Sequence, residues 1–567
     1  MIRKWRHPLL ILAIAAIVTA ACSQQGATGY GDAGSGPAPS AAGSEGQQPS
    51  ATQAPEEPEI ENFRTEGFPI VDEPITLKLM GSKAPGHVPW DQMTFFQELT
   101  KLTNIRFEFD TPPSEAYEEK LNLAFATGTL PDALFGARLP VDKEVTYGQQ
   151  GLLIPLEDLI DKYAPNLLQV FEANPGLRES ITAPDGHIYS LPRIDVRPDI
   201  VNTESHVAYP RMWINAKWLG KVGLPKPATT EELYEVLKAF KEQDPNGNGQ
   251  ADEIPLSAYD MDIRGVVLNW FGFVVTENQL FDVKDGKVRY APVEPEYKAY
   301  LTFMNRLYAG GLLDQESYSQ SPQQKTAKGN QEQLGLFYSL APFQVVGNDL
   351  DPDYDLLLPL TSEVNDTPVT SVTPLFSRGT FAITKQNPHP EATMRLVDYL
   401  YSDEGSDLGQ FGVEGVNWEF NESKTGRVFI GAEGKTSQEL RAMATPDAGT
   451  AIPRNQSKLA AELATIENEE KAKDSNPPRY HMRSTYSQLF PYAQPTYPML
   501  YFTLEEQKEI NVLQADIKTY VEQMEAKFIF GNEPLDRFDS FVDTLKRMEV
   551  DRYIQIHQDA YDRWSNH

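Results

Sequence analysis

The sequence predicts an α/β protein of two or more lobes that ends in a helical tail. The chain has 567 residues, far more than one hydrophobic core normally serves, so at least two lobes are expected. Segments with the apolar spacing of strands and of helices alternate from Ile75 onwards. This alternation is typical of α/β lobes with a largely parallel sheet. From Leu504 to Trp564 the spacing is only helical.

The first lobe is predicted from two rounds of this alternation. The successive segments are ITLKLM at 75–80 (strand), WDQMTFFQELTKLT at 90–103 (helix), IRFEF at 105–109 (strand), EEKLNLAFATG at 118–128 (helix) and LPDALFG at 130–136 (strand). Ligands of such sheets bind beyond the carboxyl ends of the strands. The loop GSKAPGHVPW at 81–90 is therefore expected to lie near any binding site.

A second α/β set is predicted from RMWINAKWL at 211–219, a strand followed by the start of a helix. An amphipathic helix, TTEELYEVLKAFKEQ at 229–243, comes next, with Thr229 or Thr230 as its N-cap. Its apolar stripe consists of Leu233, Val236, Leu237 and Phe240. The tail is predicted to contain three helices, and the segments 517–531 and 535–548 carry the clearest pattern.

Residues 1–21 have the pattern of a secretory signal. Three basic residues precede an apolar run from Leu9 to Val18, and small residues lead to Cys22. Cys22 is the only cysteine in the chain, and its position resembles that of a lipidated cysteine in a bacterial lipobox. We therefore predict that Cys22 carries a lipid anchor. The alternative is an ordinary cleaved signal in which Cys22 is simply a small residue.

Residues 22–60 are predicted to be a disordered tether, because they are rich in Gly, Ser, Ala, Pro and Gln and can bury little apolar surface. No later segment is apolar for long enough to cross a bilayer. The chain has 50 basic and 81 acidic residues, a formal net charge of −31. Such a surface is repelled by nucleic acid and by anionic lipid, so we expect no nucleic-acid partner and no membrane contact beyond the lipid anchor.

Signatures of common enzyme classes are missing from the sequence. The eight histidines form no local zinc-binding pair, the single cysteine stands at the terminus, and there is no G-x-S-x-G motif. Paired carboxylates of the kind used in glycoside hydrolysis stay possible, because 81 acidic residues offer many pairs. A surface-anchored glycoside hydrolase is therefore the enzyme alternative.

The stretch DPNGNGQADEIPLS at 244–257 begins like an EF-hand calcium loop. Hard oxygen ligands stand at alternate positions around a flexible glycine, as calcium requires. The twelfth position, where an EF-hand has Glu, is Pro255, and Glu253 arrives early instead. The candidate ligands are Asp244, Asn246, Asn248, Gln250, Asp252 and Glu253. Two alternatives stay open: a metal-free turn rich in Asx residues, and a calcium-dependent scaffold protein that uses the loop for binding.

The order of several motifs resembles the extracellular solute-binding lipoproteins of ABC importers, in the branch of LipO-like lipoproteins and alginate-binding proteins. These motifs are LNLAFATGTLPDALFG at 121–136, GLLIPLEDLIDKYAPNL at 151–167, APDGHIYSLP at 183–192, NRLYAGGLLD at 305–314, FGVEGVNWEF at 411–420 and the calcium-like loop. The resemblance covers nearly the whole body and implies a two-lobe periplasmic-binding-protein-like fold of class II type, with C-terminal helices. It also implies a structural calcium, bound by the carbonyl of Gln250 and by the other candidate side chains.

The resemblance implies the domain boundaries and the function. The first lobe would comprise 61–194 and 371–437, and the second lobe 195–370 and 438–567. The chain would capture an oligosaccharide outside the cell, hand it to the permease and catalyse no reaction, and we expect a monomer. A saccharide cleft needs aromatic plates and planar polar groups. The candidate ligand-binding residues are Trp90, Arg193, Tyr209, Trp270, Tyr338, Glu414 and Trp418, with Arg211 also near the gap, Arg378 at the hinge, and Trp213 and Trp218 in the core.

Overall fold

The computed structural model describes residues 60–196, 211–276, 278–372, 376–431, 434–463 and 477–565. The predicted signal, tether and Cys22 up to residue 59 lie outside the described residues. The strands are β1 Ile75–Met80, β2 Ile105–Asp110, β3 Ala133–Phe135, β4 Leu191–Ile194, β5 Met212–Asn215, β6 Ile254–Ser257, β7 Phe281–Lys284, β8 Lys287–Tyr290, β9 Leu334–Tyr338, β10 Tyr354–Leu357, β11 Thr370–Val372, β12 Phe376–Ile383, β13 Trp418–Phe420, β14 Arg427–Phe429 and β15 Ala493–Pro495.

The helices surround the sheets and form the whole C-terminal tail. They are α1 Thr94–Thr103, α2 Ser114–Thr127, α3 Val141–Gln149, α4 Glu157–Tyr163, α5 Pro165–Ala173, α6 Leu177–Ser180, α7 Ala216–Val222, α8 Thr230–Glu242, α9 Arg264–Trp270, α10 Pro295–Ala309, α11 Pro322–Asn330, α12 Phe343–Val346, α13 Pro390–Tyr399, α14 Asp403–Phe411, α15 Ser437–Ala444, α16 Lys458–Leu463, α17 Pro477–Ser484, α18 Leu504–Ile529, α19 Phe538–Arg547 and α20 Val550–Ser565. No described helix combines the length and apolarity needed to cross a bilayer.

The first sheet has the strand order β2-β1-β3-β12-β4. β1 runs parallel to β2 and β3, whereas β12 is antiparallel to both β3 and β4. The predicted alternation of strand and helix is confirmed, and so is the largely parallel sheet, since β1, β2, β3 and β4 all run in one direction. The exception is β12, which enters the sheet from a distant part of the chain and runs in the opposite direction. The carboxyl ends of β1, β2, β3 and β4 therefore share one edge.

The second sheet has the order β10-β5-β9-β6. β6 runs parallel to β9, and β5 is antiparallel to both β9 and β10. The carboxyl ends of β6, β9 and β10 therefore lie at one edge, together with the amino end of β5. Met212 at that amino end pairs with Tyr338 and with Leu357, the last residues of β9 and β10.

Two connections join the sheets and define a cleft between them. Residues 195–211 lead from the end of β4 to the start of β5, and residues 358–375 lead from the end of β10 to the start of β12. Each connection links the carboxyl edge of one sheet to the corresponding edge of the other. The carboxyl edges of the two sheets therefore border a shared cleft, and the architecture is the predicted two-lobe periplasmic-binding type.

Local sequence signals explain the helices of the second lobe. Thr229 and Glu232 form a reciprocal capping box at the start of α8, and the predicted apolar stripe of this helix is buried. Three tail helices, α18, α19 and α20, are present as predicted, and their apolar faces share one core with α8, α9 and α10. The tail is therefore part of the second lobe.

One predicted boundary differs from the contacts in the structure. The resemblance predicts that 438–567 belongs to the second lobe, yet Ile452 belongs to the core of the first lobe. The hydroxyl of Thr450 donates to the carbonyl of Ser82 at 2.8 Å, and the amide of Ile194 donates to the carbonyl of Arg454 at 2.8 Å. The loop 445–457 thus covers the carboxyl ends of β1 and β4 and bonds to the backbone there.

Candidate ligand-binding cleft

The wall of the cleft in the first lobe is built from the loop after β1 and the loop 445–457. His87 Nε2 lies 2.9 Å from the carbonyl oxygen of Ala448, and Arg138 donates to the carbonyl of Gly449 at 3.1 Å. Gly136, directly after β3, has a positive φ of 64°, and a Cβ there would lie 2.4 Å from Thr450. Glycine at this position allows the covering loop to approach the sheet edge closely.

Trp90 does not face the cleft, contrary to the prediction. Its side chain is buried and packs on Phe96 with ring centroids 5.4 Å apart, inside the core of the first lobe. The missing side chain of Gly81 makes room for the indole, because a Cβ on Gly81 would lie 2.4 Å from the Trp90 ring. The prediction placed Trp90 on the correct loop, but the ring turns inward.

Two other predicted aromatic plates are also buried. Trp270 lies at the end of α9 in the core of the second lobe. The Trp418 indole donates to the carbonyl of Gly412 at 3.1 Å, and the Arg427 guanidinium lies 4.6 Å from its ring centroid. Trp270 and Trp418 thus offer no free face for a sugar, since core side chains or Arg427 occupy their faces. Trp213 and Trp218 are buried as predicted.

The remaining predicted ligand residues have different positions. Glu414 is exposed beside β13, and Tyr338 is half-buried at the carboxyl end of β9, on the edge that faces the cleft. Tyr209 lies outside the described residues. Arg211, at the start of β5, is buried and donates to the carbonyl of Leu340 at 2.8 Å.

Arg193 belongs to an ionic cluster at the carboxyl end of β4, which we call the arginine cluster. Arg193, Arg441 and Arg454 surround Asp447, and Arg193 and Arg454 also contact Asp195. Arg454 Nε and Nη2 each lie 3.1 Å from an oxygen of Asp447. Burial opposes ionisation of Asp447, but Arg454 and Arg193 outweigh it and keep its pKa below the usual value. These residues come from distant segments, so no local pattern in the sequence indicates that they meet.

The second lobe contributes a different group at its cleft edge. Lys325 on α11 donates to Asp262 at 2.8 Å and to the carbonyl of Tyr338 at 2.9 Å, and its ammonium lies 4.6 Å from the ring centroid of Tyr259. Burial lowers the pKa of Lys325, while Asp262 opposes this shift. The sequence does not predict this group, because its members are separated along the chain and form no motif.

Arg378 lies at the junction of the lobes rather than in the cleft, in line with the hinge position considered for it. The guanidinium is buried, donates to the carbonyls of Ser180 and Met499, and stacks 4.2 Å from the ring centroid of Tyr501. The Tyr501 hydroxyl donates to Glu144 at 2.7 Å. The segment before α18 is therefore attached to the first lobe through buried polar contacts.

The calcium-like loop follows α8, away from the cleft edge. Its carboxylates and amides bond to each other: Asp244 accepts from the amides of Gly247 and Gly249 at 3.0 Å, and Asp252 accepts from the side chain of Asn246 at 3.0 Å. Glu253 Oε1 is buried and lacks a hydrogen-bond partner. Burial raises the pKa of Glu253, and the charges of Asp244 and Asp252 raise it further.

A cation would fit the donor set of this loop, because it would neutralise three neighbouring carboxylates and give Glu253 Oε1 a partner. Within the described ranges, no three His, Cys, Asp or Glu side chains are placed to hold a metal ion by themselves. Any cation here would therefore also need amide and carbonyl oxygens, which Asn246, Asn248 and Gln250 can supply.

Comparison with known protein families connects this cleft to solute binding. Residues 89–407 match the family model described as bacterial extracellular solute-binding protein. The chain belongs to this family. The match covers the second sheet and every strand of the first sheet except β1, whereas the loop 445–457 follows the matched region.

Curated relatives agree with this assignment. The solute-binding protein is 29% identical over 517 residues to the fructooligosaccharide ABC transporter substrate-binding protein FusA of Streptococcus pneumoniae, with 89% of this chain and 93% of FusA covered. It is 25% identical over 337 residues to the polygalacturonan/rhamnogalacturonan-binding protein YtcQ of Bacillus subtilis (58% and 64% covered). It is 29% identical over 257 residues to lipoprotein LipO of Bacillus subtilis (42% and 45% covered).

Solved structures show the same fold. FusA of S. pneumoniae in complex with kestose superposes with a TM-score of 0.70 at 27% identity, covering 87% of this chain and 99% of FusA. An EF-hand mutant of FusA, in complex with fructo-nystose, gives the same values. The alginate-binding protein AlgQ2 without calcium ion superposes with a TM-score of 0.64 at 25% identity, covering 88% of this chain and 100% of AlgQ2.

Proposed function

We propose that this solute-binding protein captures an extracellular oligosaccharide in its cleft and delivers it to the permease of an ABC importer. The observation that carries the proposal is the topology, in which both connections join carboxyl edges and bring polar groups of two lobes to one cleft. The names of FusA and YtcQ support a saccharide ligand. Ligand binding would favour a closed arrangement of the lobes that the permease recognises.

The polar residues of the cleft are suited to binding rather than to turnover. Tyr338, whose carbonyl accepts from the buried Lys325, lies on one wall, and the partly exposed Arg193 and Arg441 lie on the other. A sugar ring needs hydrogen-bond partners around its rim, and these three side chains supply both donors and acceptors. We propose that the protein acts as a monomer and performs no covalent chemistry.

We further propose that the loop at 244–253 binds a structural calcium ion. Asp244, Asn246, Asn248, Asp252 and Glu253 would hold it through their side chains, and Gln250 through its carbonyl. The buried, unpartnered Oε1 of Glu253 supports this role. A bound calcium ion would supply positive charge to a loop rich in carboxylates, and the loop would join α8 to β6 more firmly.

The protein is proposed to stay on the extracellular face of the cytoplasmic membrane through a lipid on Cys22. The name of LipO and the extracellular family description support this location. Mass spectrometry of the membrane fraction would test it. A peptide that begins at Cys22 and carries two or three acyl chains is expected, and a chain without acyl groups in the medium would contradict the anchor.

A thermal-shift screen with kestose and with oligogalacturonates tests the main proposal. A ligand that binds only the folded chain at a hundredfold excess over its dissociation constant adds about 2.7 kcal/mol to the free energy of unfolding. The midpoint should therefore rise with at least one saccharide, and no new reducing ends should form. Release of reducing ends would instead favour a glycoside hydrolase.

Tyr338→Ala should reduce this midpoint rise, because Tyr338 lies at the cleft edge of β9. Tyr234→Ala serves as the matched control, since Tyr234 lies on α8 beneath the Arg306 guanidinium. Equal loss of the ligand response in both variants would contradict the assignment of the cleft.

A further inference from the structure

The arginine cluster contains one positive charge in excess. Three guanidinium groups meet two carboxylates, and within the part of the chain that the structure describes their salt bridges are confined to one another. The whole chain has a formal net charge of −31. The cleft edge therefore carries a local excess of positive charge, although the molecule as a whole is strongly negative.

The cluster has a buried base and two more accessible arms. Arg454 and Asp447 are fully buried, whereas the side chains of Arg193 and Arg441 are 25% and 21% exposed. The arms flank Asp447, with Arg193 Nη1 3.4 Å from its Oδ1 and Arg441 Nη2 3.4 Å from its Oδ2. Asp447 thus fixes the two arms in place. Arg441 also donates to the carbonyl of Gln410 at 3.0 Å and to the side chain of Gln438 at 3.3 Å, and both arms stay partly exposed.

The position of these arms places them in the cleft wall. Arg193 is the third residue of β4, and Asp195 follows that strand at the start of the connection to the second lobe. Arg441 lies on α15, which leads into the loop 445–457 that covers the same strand ends. Both arms therefore stand at the carboxyl edge of the first sheet, where ligands of α/β lobes bind.

An excess charge in a half-buried cluster is costly without a counterion. Burial lowers the pKa of the Arg441 guanidinium, and repulsion by Arg454 and Arg193 lowers it further, although Asp447 opposes the shift. A ligand carboxylate between the arms would balance the cluster. Guanidinium groups match the planar, two-oxygen geometry of a carboxylate. The hydroxyls of a neutral sugar carry no negative charge that could balance the cluster.

We propose that Arg193 and Arg441 bind the carboxylate of a uronic acid residue, so that the solute is an acidic oligosaccharide. This inference rests on the proposed saccharide-binding function and specifies the substrate class of the same cleft. The Lys325–Asp262 pair on the opposite wall is neutral as a unit, so the charge preference resides in the first lobe.

Isothermal titration of the purified full chain tests this inference with matched ligands. The ligands are the trimers of galacturonate, mannuronate and guluronate, their methyl esters, and kestose. At least one oligouronate should bind about tenfold or more tightly than its own ester, because esterification removes the charge and keeps the ring. The preference should shrink as the salt concentration rises.

Variants distinguish a ligand contact from a structural role. Arg193→Gln and Arg441→Gln should each weaken binding of the acid far more than binding of the ester, and Arg193→Lys should restore part of the preference for the acid. Arg106→Gln is the control, since Arg106 is exposed near the amino end of β2, at the opposite edge of the sheet.

Four results would overturn the inference. Equal affinity for acids and their esters would overturn the charge preference and leave saccharide binding intact. An equal loss of affinity for the acid and for the ester in Arg193→Gln would do so as well. Tighter binding of kestose than of every oligouronate would do the same. Failure of all the saccharides to bind would overturn the proposed function together with the inference.

Discussion

At the scale of single residues, His557 couples the stability of the second lobe to pH. The ring stacks on Phe281 with centroids 3.8 Å apart, Nδ1 lies 3.0 Å from the Tyr497 hydroxyl, and Nε2 is buried without a partner. Burial lowers the pKa of His557 from 6.5 to about 3. Between these values the unfolded chain binds a proton that the folded chain does not, so stability falls as the pH drops from 6.5 towards 3.

The variant His557→Phe should remove this contribution and keep the ring stacking. Urea unfolding at pH 7.5 and pH 4.5 would measure it. The wild type is expected to lose about 1–3 kcal/mol more than the variant over this interval. The Tyr497 hydroxyl can still donate to the carbonyl oxygen of residue 557 in the variant. Parallel pH profiles for the two proteins would contradict the assignment.

The buried Arg454–Asp447 pair of the arginine cluster should also contribute strongly to the free energy of unfolding. Arg454→Gln leaves the buried carboxylate of Asp447 without its bidentate partner, and loss of one member of a buried ion pair costs about 3–5 kcal/mol. Arg552→Gln removes an exposed, equally bidentate pair with Glu509 and should barely change the urea midpoint. Equal midpoints for the two variants would show that the cluster is not a stabilising unit.

At the scale of elements, local signals predicted most strands and helices, and side-chain direction was the main error. The apolar stripe and the Thr229 cap of α8 are properties of adjacent residues, and both are as predicted. Whether Trp90 points to the cleft depends on the space above Gly81 and on Phe96 and Phe135. Residues from several strands and helices form that space when they pack together, so a motif on one loop could not predict the direction of the ring.

The calcium-like loop yields a prediction at the same scale. Calcium should raise the thermal midpoint of the wild type, and a chelator should reverse the rise, because the ion binds only the folded loop. Glu253→Gln should weaken this response markedly, since it removes one of the three carboxylate charges of the loop. Glu235→Gln, on the exposed face of α8, should respond to calcium as the wild type does. An equal response in Glu253→Gln would exclude Glu253 as a ligand.

At the scale of the whole molecule, the length and the order of motifs predicted two lobes, but the cleft wall is formed by residues far apart in sequence. Arg193 meets Asp447 only because the loop 445–457 returns to the first lobe. Lys325 meets Asp262 across the edge of the second sheet. Such pairs arise from topology, so the sequence indicated a cleft without indicating its charge.

The segment 497–501 is attached to both lobes and is therefore a candidate pivot for closure. Tyr497 packs against His557 in the second lobe, while Tyr501 contacts Glu144 and Arg378 in the first lobe. A fixed pivot restricts the lobes to a hinge rotation and limits the entropy that is lost when the cleft closes. The buried contacts of Tyr501 should therefore favour binding although they lie outside the cleft.

Tyr501→Ala tests the pivot through the shape of the molecule. Small-angle scattering should give a larger radius of gyration for the ligand-free variant than for the wild type, because additional open arrangements become populated. The affinity for the bound saccharide should fall about fivefold, or about 1 kcal/mol. The control Tyr234→Ala alters a tyrosine that packs against Arg306 and the core of the second lobe. If Tyr501→Ala lowers stability but leaves the radius and the affinity unchanged, Tyr501 is a packing residue and closure pivots elsewhere.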